Sequence, residues 1–160
     1  MKTIAGTILV VALGAGLPAA AQKECSKAEA AAAEKAADKI VNYANLLRAY
    51  KDYRHCDAGA VEENFTDAIL RLLVEWKNVD TIASELQADP EYKKFIYKHL
   101  DSPAAKDDRE SIYSRAKNSC PPIQDEFCKD LMAKVRPAGG GASGLAPAPA
   151  IQPASAPPKK

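Results

Sequence analysis

Ala60 to Lys77, AVEENFTDAILRLLVEWK, is the stretch that decides the fold. Val61, Phe65, Ile69, Leu72, Leu73 and Trp76 recur with the spacing of an α-helix that has one apolar face. Glu62 and Glu63 stand in its first turn, where negative charge complements the helix dipole. Gly59 separates it from the turn His55-Cys56-Asp57-Ala58. No other segment is as strongly amphipathic, so this helix is expected at the centre of the core.

Upstream, Ser26 to about Tyr53 reads as one long helix. Ser26 and Glu29 have capping-box spacing. Ala30 to Ala33 and Ala36-Ala37 are strong helix formers. Ile40, Tyr43/Ala44, Leu47 and Tyr50 form a stripe, and neither Gly nor Pro interrupts it. Tyr43, Tyr50 and Tyr53 share much of one face and read as core and interface filling.

Downstream, a short helix over Asp80 to Gln87 carries Ile82 and Leu86. Asp89-Pro90 is a cap followed by proline at the first helical position. It opens a helix to Leu100 with Tyr92, Phe95, Ile96, His99 and Leu100 on one face. A further helix spans about Asp107 to Asn118, with Ile112, Tyr113 and Ala116 inward. Pro121-Pro122 opens the last, with Ile123, Phe127, Leu131 and Val135 spaced by four. No segment alternates with period two. The fold class is all-α: a compact, disulfide-stabilised bundle of five or six helices.

The chain has 160 residues, 47% hydrophobic and 27% charged, which suits one globular domain rather than wholesale disorder. Residues 1–21 read as a secretory signal peptide. Lys2 precedes an apolar run over Ile4 to Leu17, and Ala19-Ala20-Ala21 places cleavage before Gln22. The run is shorter than the ~20 residues of a membrane span. Residues 137–160 form a Pro/Ala/Gly-rich tail that reads as disordered, with a polyproline-like stretch over residues 146–158. The domain is therefore 22–136. No later segment is apolar enough to cross a membrane, and the expected location is periplasmic or secreted.

Four cysteines in an exported chain suggest two disulfides: Cys25, Cys56, Cys120 and Cys128 are the candidates. A continuous first helix would hold Cys25 and Cys56 ~45 Å apart. A disulfide needs Cα atoms within about 7 Å. Direct pairing of the two therefore requires a break in that helix. Crossed pairings fall short as well. Cys120 and Cys128 can be at most ~28 Å apart, and two bridges add only about 12 Å. Either the first helix is shorter or broken, or only one intramolecular bridge forms. In the second case Cys56 with Cys120 is the favoured pair, with Cys25 free or bridging chains. No C-x-x-C motif points to a redox role.

Chemical signatures are sparse. Lys+Arg is 22 against Asp+Glu 21, and three of the basic residues, Lys2, Lys159 and Lys160, lie in the flanking segments. Residues 22–136 thus carry a small negative balance and no footprint for nucleic acid. His55, Cys56 and Asp57 put three metal-ligand types in a row, with His99 and Asp101 as further donors. Adjacent residues cannot all face one ion without unusual backbone, so no metal or cofactor is expected. Asp107-Asp108, like Glu62-Glu63, falls at a helix start and reads as dipole compensation rather than acid–base chemistry. Asn64-Phe65-Thr66 is a glycosylation sequon placed inside a helix beside core Phe65. No nucleophile elbow, phosphate loop, zinc-protease or haem motif occurs, so no catalytic residue is assigned.

His55-Cys56-Asp57-x-Gly59-Ala60-Val61, Phe65-Thr66-Asp67-Ala68, Arg71-Leu72-Leu73-x-x-Trp76, Cys120-Pro121 and Phe127-Cys128 carry a resemblance. Over about Ala49 to Cys128 the chain resembles small exported helical proteins of proteobacteria that carry no assigned activity. At the level of fold alone it is similar to periplasmic immunity proteins that neutralise peptidoglycan amidase toxins. The resemblance implies export and an all-helical fold. The function expected from the residues is non-enzymatic: an exported protein that binds a macromolecular, protein partner through a helix face. The alternatives are an envelope structural or stress-response module that reaches the cell envelope through its tail, and an immunity-like inhibitor of a periplasmic toxin.

Overall fold

The computed structural model describes residues 23–136. The signal-peptide and tail readings fall on residues 1–21 and 137–160, outside the described residues. Within them lie seven α-helices and no strand: α1 (Lys27–Ala37), α2 (Tyr43–Tyr53), α3 (Ala60–Glu75), α4 (Val79–Ala88), α5 (Pro90–Leu100), α6 (Asp108–Asn118) and α7 (Asp125–Lys134). Short 3-10 turns follow α2 at Arg54–Cys56 and α5 at Pro103–Lys106. The all-helical class holds, and the seventh helix arises because the expected long first helix is two helices.

The break at Asp38 to Asn42 has a local and a tertiary cause. Asn42 is extended, and its side chain accepts from the Asn45 amide at 2.8 Å, capping α2. The β-branched pair Ile40-Val41 precedes it, with Ile40 buried and Val41 exposed. From α3, the Arg71 guanidinium donates to the Ile40 carbonyl that the interrupted helix leaves free. Because α1 and α2 have 11 residues each, the two legs of the hairpin match in length. Their outer ends therefore meet.

Cys25 and Cys56 are joined with Cα atoms 4.9 Å apart, and Cys120 with Cys128 at 6.1 Å. The favoured pairing of Cys56 with Cys120, leaving Cys25 free, is thus incorrect. It rested on an unbroken helix, and the hairpin removes the ~45 Å separation that a straight helix imposes.

The capping box at α1 forms as expected: the Ser26 hydroxyl accepts from the Glu29 amide, and Glu29 accepts from the Ser26 amide. One face of the Ala-rich half packs into the core. Ala33 and Ala37 are buried where α1 lies on α3. The missing side-chain bulk lets the two backbones approach closely. The break also shifts the buried stripe of α2. Tyr43, Leu46, Ala49 and Tyr50 are inside, whereas Ala44 is exposed and Leu47 only partly covered.

Helix α3 is central, packing against α1, α2, α5 and α6. Gly59 opens it at φ 58° and ψ −132°, a conformation open to glycine and costly for other residues. The helix stops one residue before Trp76, which is left-handed at φ 59°. Trp76 therefore leaves the buried stripe. Its indole donates to the Ser119 carbonyl at 2.9 Å and its ring faces Phe127 at 6.5 Å. Asn78, also left-handed, leads into α4. At α5 the Asp89 carboxylate accepts from the amides of Glu91 and Tyr92, as the Asp-Pro signal predicts.

The last helix starts later than expected. Pro121 to Gln124 forms a turn closed by a bond from the Gln124 amide to the Pro121 carbonyl. Ile123, expected inward, is 82% exposed, and Gln124 takes the buried place. Phe127, Leu131 and Val135 are buried as the spacing predicts. Tyr113 on α6 is only partly covered, unlike Ile112 and Ala116.

Candidate functional site

The α1–α2 hairpin brings the turn His55-Cys56-Asp57 beside both Cys25 and α5. His55 and Asp57, either side of the bridged Cys56, then serve different partners. His55 Nε2 lies 3.3 Å from Glu29 on α1. Asp57 Oδ2 lies 2.9 Å from Lys98 Nζ and 3.5 Å from His99 Nε2, both on α5. Asp101 instead pairs with Lys134 of α7. The five donors weighed as metal ligands are thus divided, and no cluster of three such groups occurs among the described residues.

Thr66 completes the Asp57–His99 contact from α3. Its hydroxyl oxygen is 2.8 Å from His99 Nδ1 and 2.8 Å from the Glu62 carbonyl. Hydroxyl, imidazole and carboxylate follow one another in the order of a nucleophilic triad. Thr66 is 2% and His99 1% exposed, however, so no substrate carbonyl can reach the hydroxyl. The cluster is a polar clamp joining α3, α5 and the Cys56 turn inside the core. Phe95 and Phe65 close it, with ring centroids 4.6 and 6.1 Å from the imidazole. Burial works against the Asp57 carboxylate, but His99 and Lys98 outweigh it and hold its pKa below the ordinary range. Burial likewise works against charge on Lys98, but Asp57 and Glu62, the latter at 3.0 Å, outweigh it and raise its pKa.

Above this clamp an open groove of about 780 Å³ runs between the end of α2 with its following turn and α5. Tyr50 and Phe95 form its floor, with ring centroids 4.9 Å apart. Tyr50 also packs on Tyr92 at 4.6 Å, and Phe65 meets Phe95 edge-on at 5.2 Å, so the floor is a rigid aromatic layer. The rim carries Lys51 and Arg54 on one side and Lys94 and Lys98 on the other, one turn apart in each row. Lys23 and His55 close one end, and Asp52 and Glu91 interrupt the basic rim. Arg54 is oriented by its Nη1 bond to the Tyr50 hydroxyl at 2.9 Å. Lys98 and Lys23 are already paired, with Asp57 and Glu62 and with Glu29. Lys51, Arg54 and Lys94 have no carboxylate within 4.0 Å among the described residues.

Tyr43, Tyr50 and Tyr53 do fill the core and its edge, Tyr43 donating to the Leu72 carbonyl at 3.0 Å. The groove escaped the reading of the sequence, although the i, i+4 pair Lys94/Lys98 and the i, i+3 pair Lys51/Arg54 mark basic faces on both helices. Only the hairpin sets these faces opposite one another. Thr66 was singled out as part of a sequon, and its spacing to His99 carries no sequence signal. No family model, no curated protein and no solved structure matches this chain.

Proposed function

We propose that this chain is an exported, non-enzymatic protein that binds a macromolecular partner through the face formed by α2 and α5. The observation that carries the reading is the open α2–α5 groove, a rigid aromatic floor under a concentrated basic rim in a domain of slightly negative balance. Such a surface offers pre-organised shape and charge for recognition. The Thr66–His99–Asp57 cluster lies beneath it and out of reach. Export is supported by the apolar leader and by the pairing of all four cysteines, a state that persists in oxidising compartments. No described helix is long and apolar enough to cross a membrane.

The test is site-specific photocrosslinking in the exporting cell, with a photoreactive residue replacing Asp52 or Glu91 at the groove, or Glu110 on remote α6. Discrete adducts from the groove positions and none from Glu110 are expected. Adducts from neither face, or equal capture at all three, refute the reading. The intact mass of the same preparation reads the cleavage site, and a chain that retains residues 1–21 inside the cell refutes export.

A further inference from the structure

We infer that the α2–α5 groove docks an acidic polypeptide segment, its carboxylates taken by Lys51, Arg54 and Lys94 and its apolar side chains laid along the lysine stems above the aromatic floor. The inference rests on the proposed binding role and names the chemistry of the partner. Charge complementarity is the first argument. The free cations Lys51, Arg54 and Lys94 lie on both walls of one groove, while the rest of the domain tends to negative. Their arrangement is the second. They form two rows along an open trough rather than converging on a point, which suits a chain of separated carboxylates better than a single small anion. Arg54, held by Tyr50, presents its remaining N–H groups as a fork that matches a planar carboxylate.

Other polyanions fit less well. A single-stranded nucleic acid needs aromatic faces on which bases stack, but Tyr50 is 2% and Phe95 8% exposed. Asp52 and Glu91 on the rim repel a uniform run of phosphates, while a peptide can place a neutral or basic residue opposite them. A lipid surface is flat, whereas this basic surface is concave.

The experiment uses the oxidised chain from Gln22 to Lys160 and a fluorescent synthetic peptide that alternates Asp/Glu with Leu/Phe. Binding is read by anisotropy at low and at physiological salt, and its location by amide chemical shifts. Saturable binding is expected, with shifts confined to residues 50–55 and 91–98. The affinity should weaken as salt rises. It should fall about tenfold or more in the double variant Lys51→Glu/Lys94→Glu, which reverses two attractions. Lys39→Glu/Lys117→Glu, away from the groove, should bind as the parent does. Thermal unfolding of each variant separates lost binding from lost fold. No saturable binding, shifts elsewhere, or equal affinity in the groove variant overturns the inference. Tighter binding of polyphosphate, of a single-stranded oligonucleotide or of anionic vesicles at the same residues also overturns it, in favour of that ligand. If the acidic peptide fails while groove positions still crosslink a partner in cells, this inference falls and the proposed function stands. If neither reports binding, both fall.

Discussion

The two disulfides should differ in what they contribute, in an order set by the loops they close. Cys25 and Cys56 are 31 residues apart, Cys120 and Cys128 only 8. In the chain-entropy account, removing the first costs about 3.7 kcal/mol and removing the second about 2.5 kcal/mol. The comparison is well matched, because each bridge has one buried sulfur. Cys56 is 3% and Cys128 2% exposed, while their partners lie nearer the surface. The double variants Cys25→Ala/Cys56→Ala and Cys120→Ala/Cys128→Ala therefore open similar cavities, and those terms largely cancel in the difference. The loops neither nest nor overlap, so the two entropies should add, to about 6 kcal/mol in the quadruple variant. That is comparable to the whole stability of a typical domain, about 5–15 kcal/mol, and the quadruple variant should be near its unfolding limit at room temperature.

Urea unfolding followed by far-UV circular dichroism measures all four proteins. Each loss should lower the midpoint and raise the slope, because an uncrosslinked chain exposes more surface when unfolded. At roughly 4 °C per kcal/mol, the melting temperature should fall by about 15 °C and about 10 °C for the two double variants. If the Cys120/Cys128 variant proves the less stable by ~1 kcal/mol or more, loop entropy is not what these bridges supply. Peptide mapping of the non-reduced parent gives the prior check: a Cys56–Cys120 peptide would remove the hairpin from which the calculation starts.

Three further outcomes follow from the packing and the polar clamp. Thr66→Val keeps the shape but leaves His99 Nδ1 buried without its hydroxyl partner, and should cost about 1–3 kcal/mol in urea unfolding, with Thr66→Ser retaining most of the stability. Ala33→Leu should cost about 1–3 kcal/mol by forcing α1 off α3, whereas Ala31→Leu, on the exposed side, should be near neutral. The Lys23 ammonium, with the Ser26 hydroxyl and amide, holds the Glu29 carboxyl down at about 2, against 4.5 ordinarily. A carboxyl lowered on folding stabilises above its unfolded value and loses that contribution as pH falls through the folded one. The protection of the Glu29 and Ala30 amides, their exchange taken relative to an unstructured peptide at the same pH, should therefore fall between pH 4.5 and about 2, and Glu29→Gln should abolish that dependence.

The value of the α1–α2 break lies in how much follows from it. With a straight helix over residues 26–53, Cys25 and Cys56 stand far apart and His55 sits at a distant tip. With the turn at Asp38 to Asn42, the cysteines join, Asp57 reaches His99, and the basic face of α2 lies opposite that of α5. The fold and the candidate site thus depend on one interruption that involves neither glycine nor proline. Its signals, a capping Asn42 after two β-branched residues, are weak beside the flanking run of alanines. Arg71, 31 residues further on in the chain, is what receives the exposed Ile40 carbonyl, and no local pattern announces that contact.

What the sequence by itself determined is whatever depends on neighbours along the chain. The helical class, the buried faces of α3, α5 and α7 and the caps at Ser26 and Asp89 were legible, because periodicity and capping act within a few residues. The disulfide partners, the opposed basic rows and the burial of Thr66 against His99 were decided by tertiary structure. Each joins residues from separate helices, and the free energy that selects them arises only when those helices pack. Ile123 and Trp76 mark the boundary between the two. Both continue an apolar spacing, yet a turn at Pro121 and a left-handed residue at the end of α3 carry them out of the stripe. A helical period predicts a buried face only as far as the helix runs, and packing sets where these helices stop.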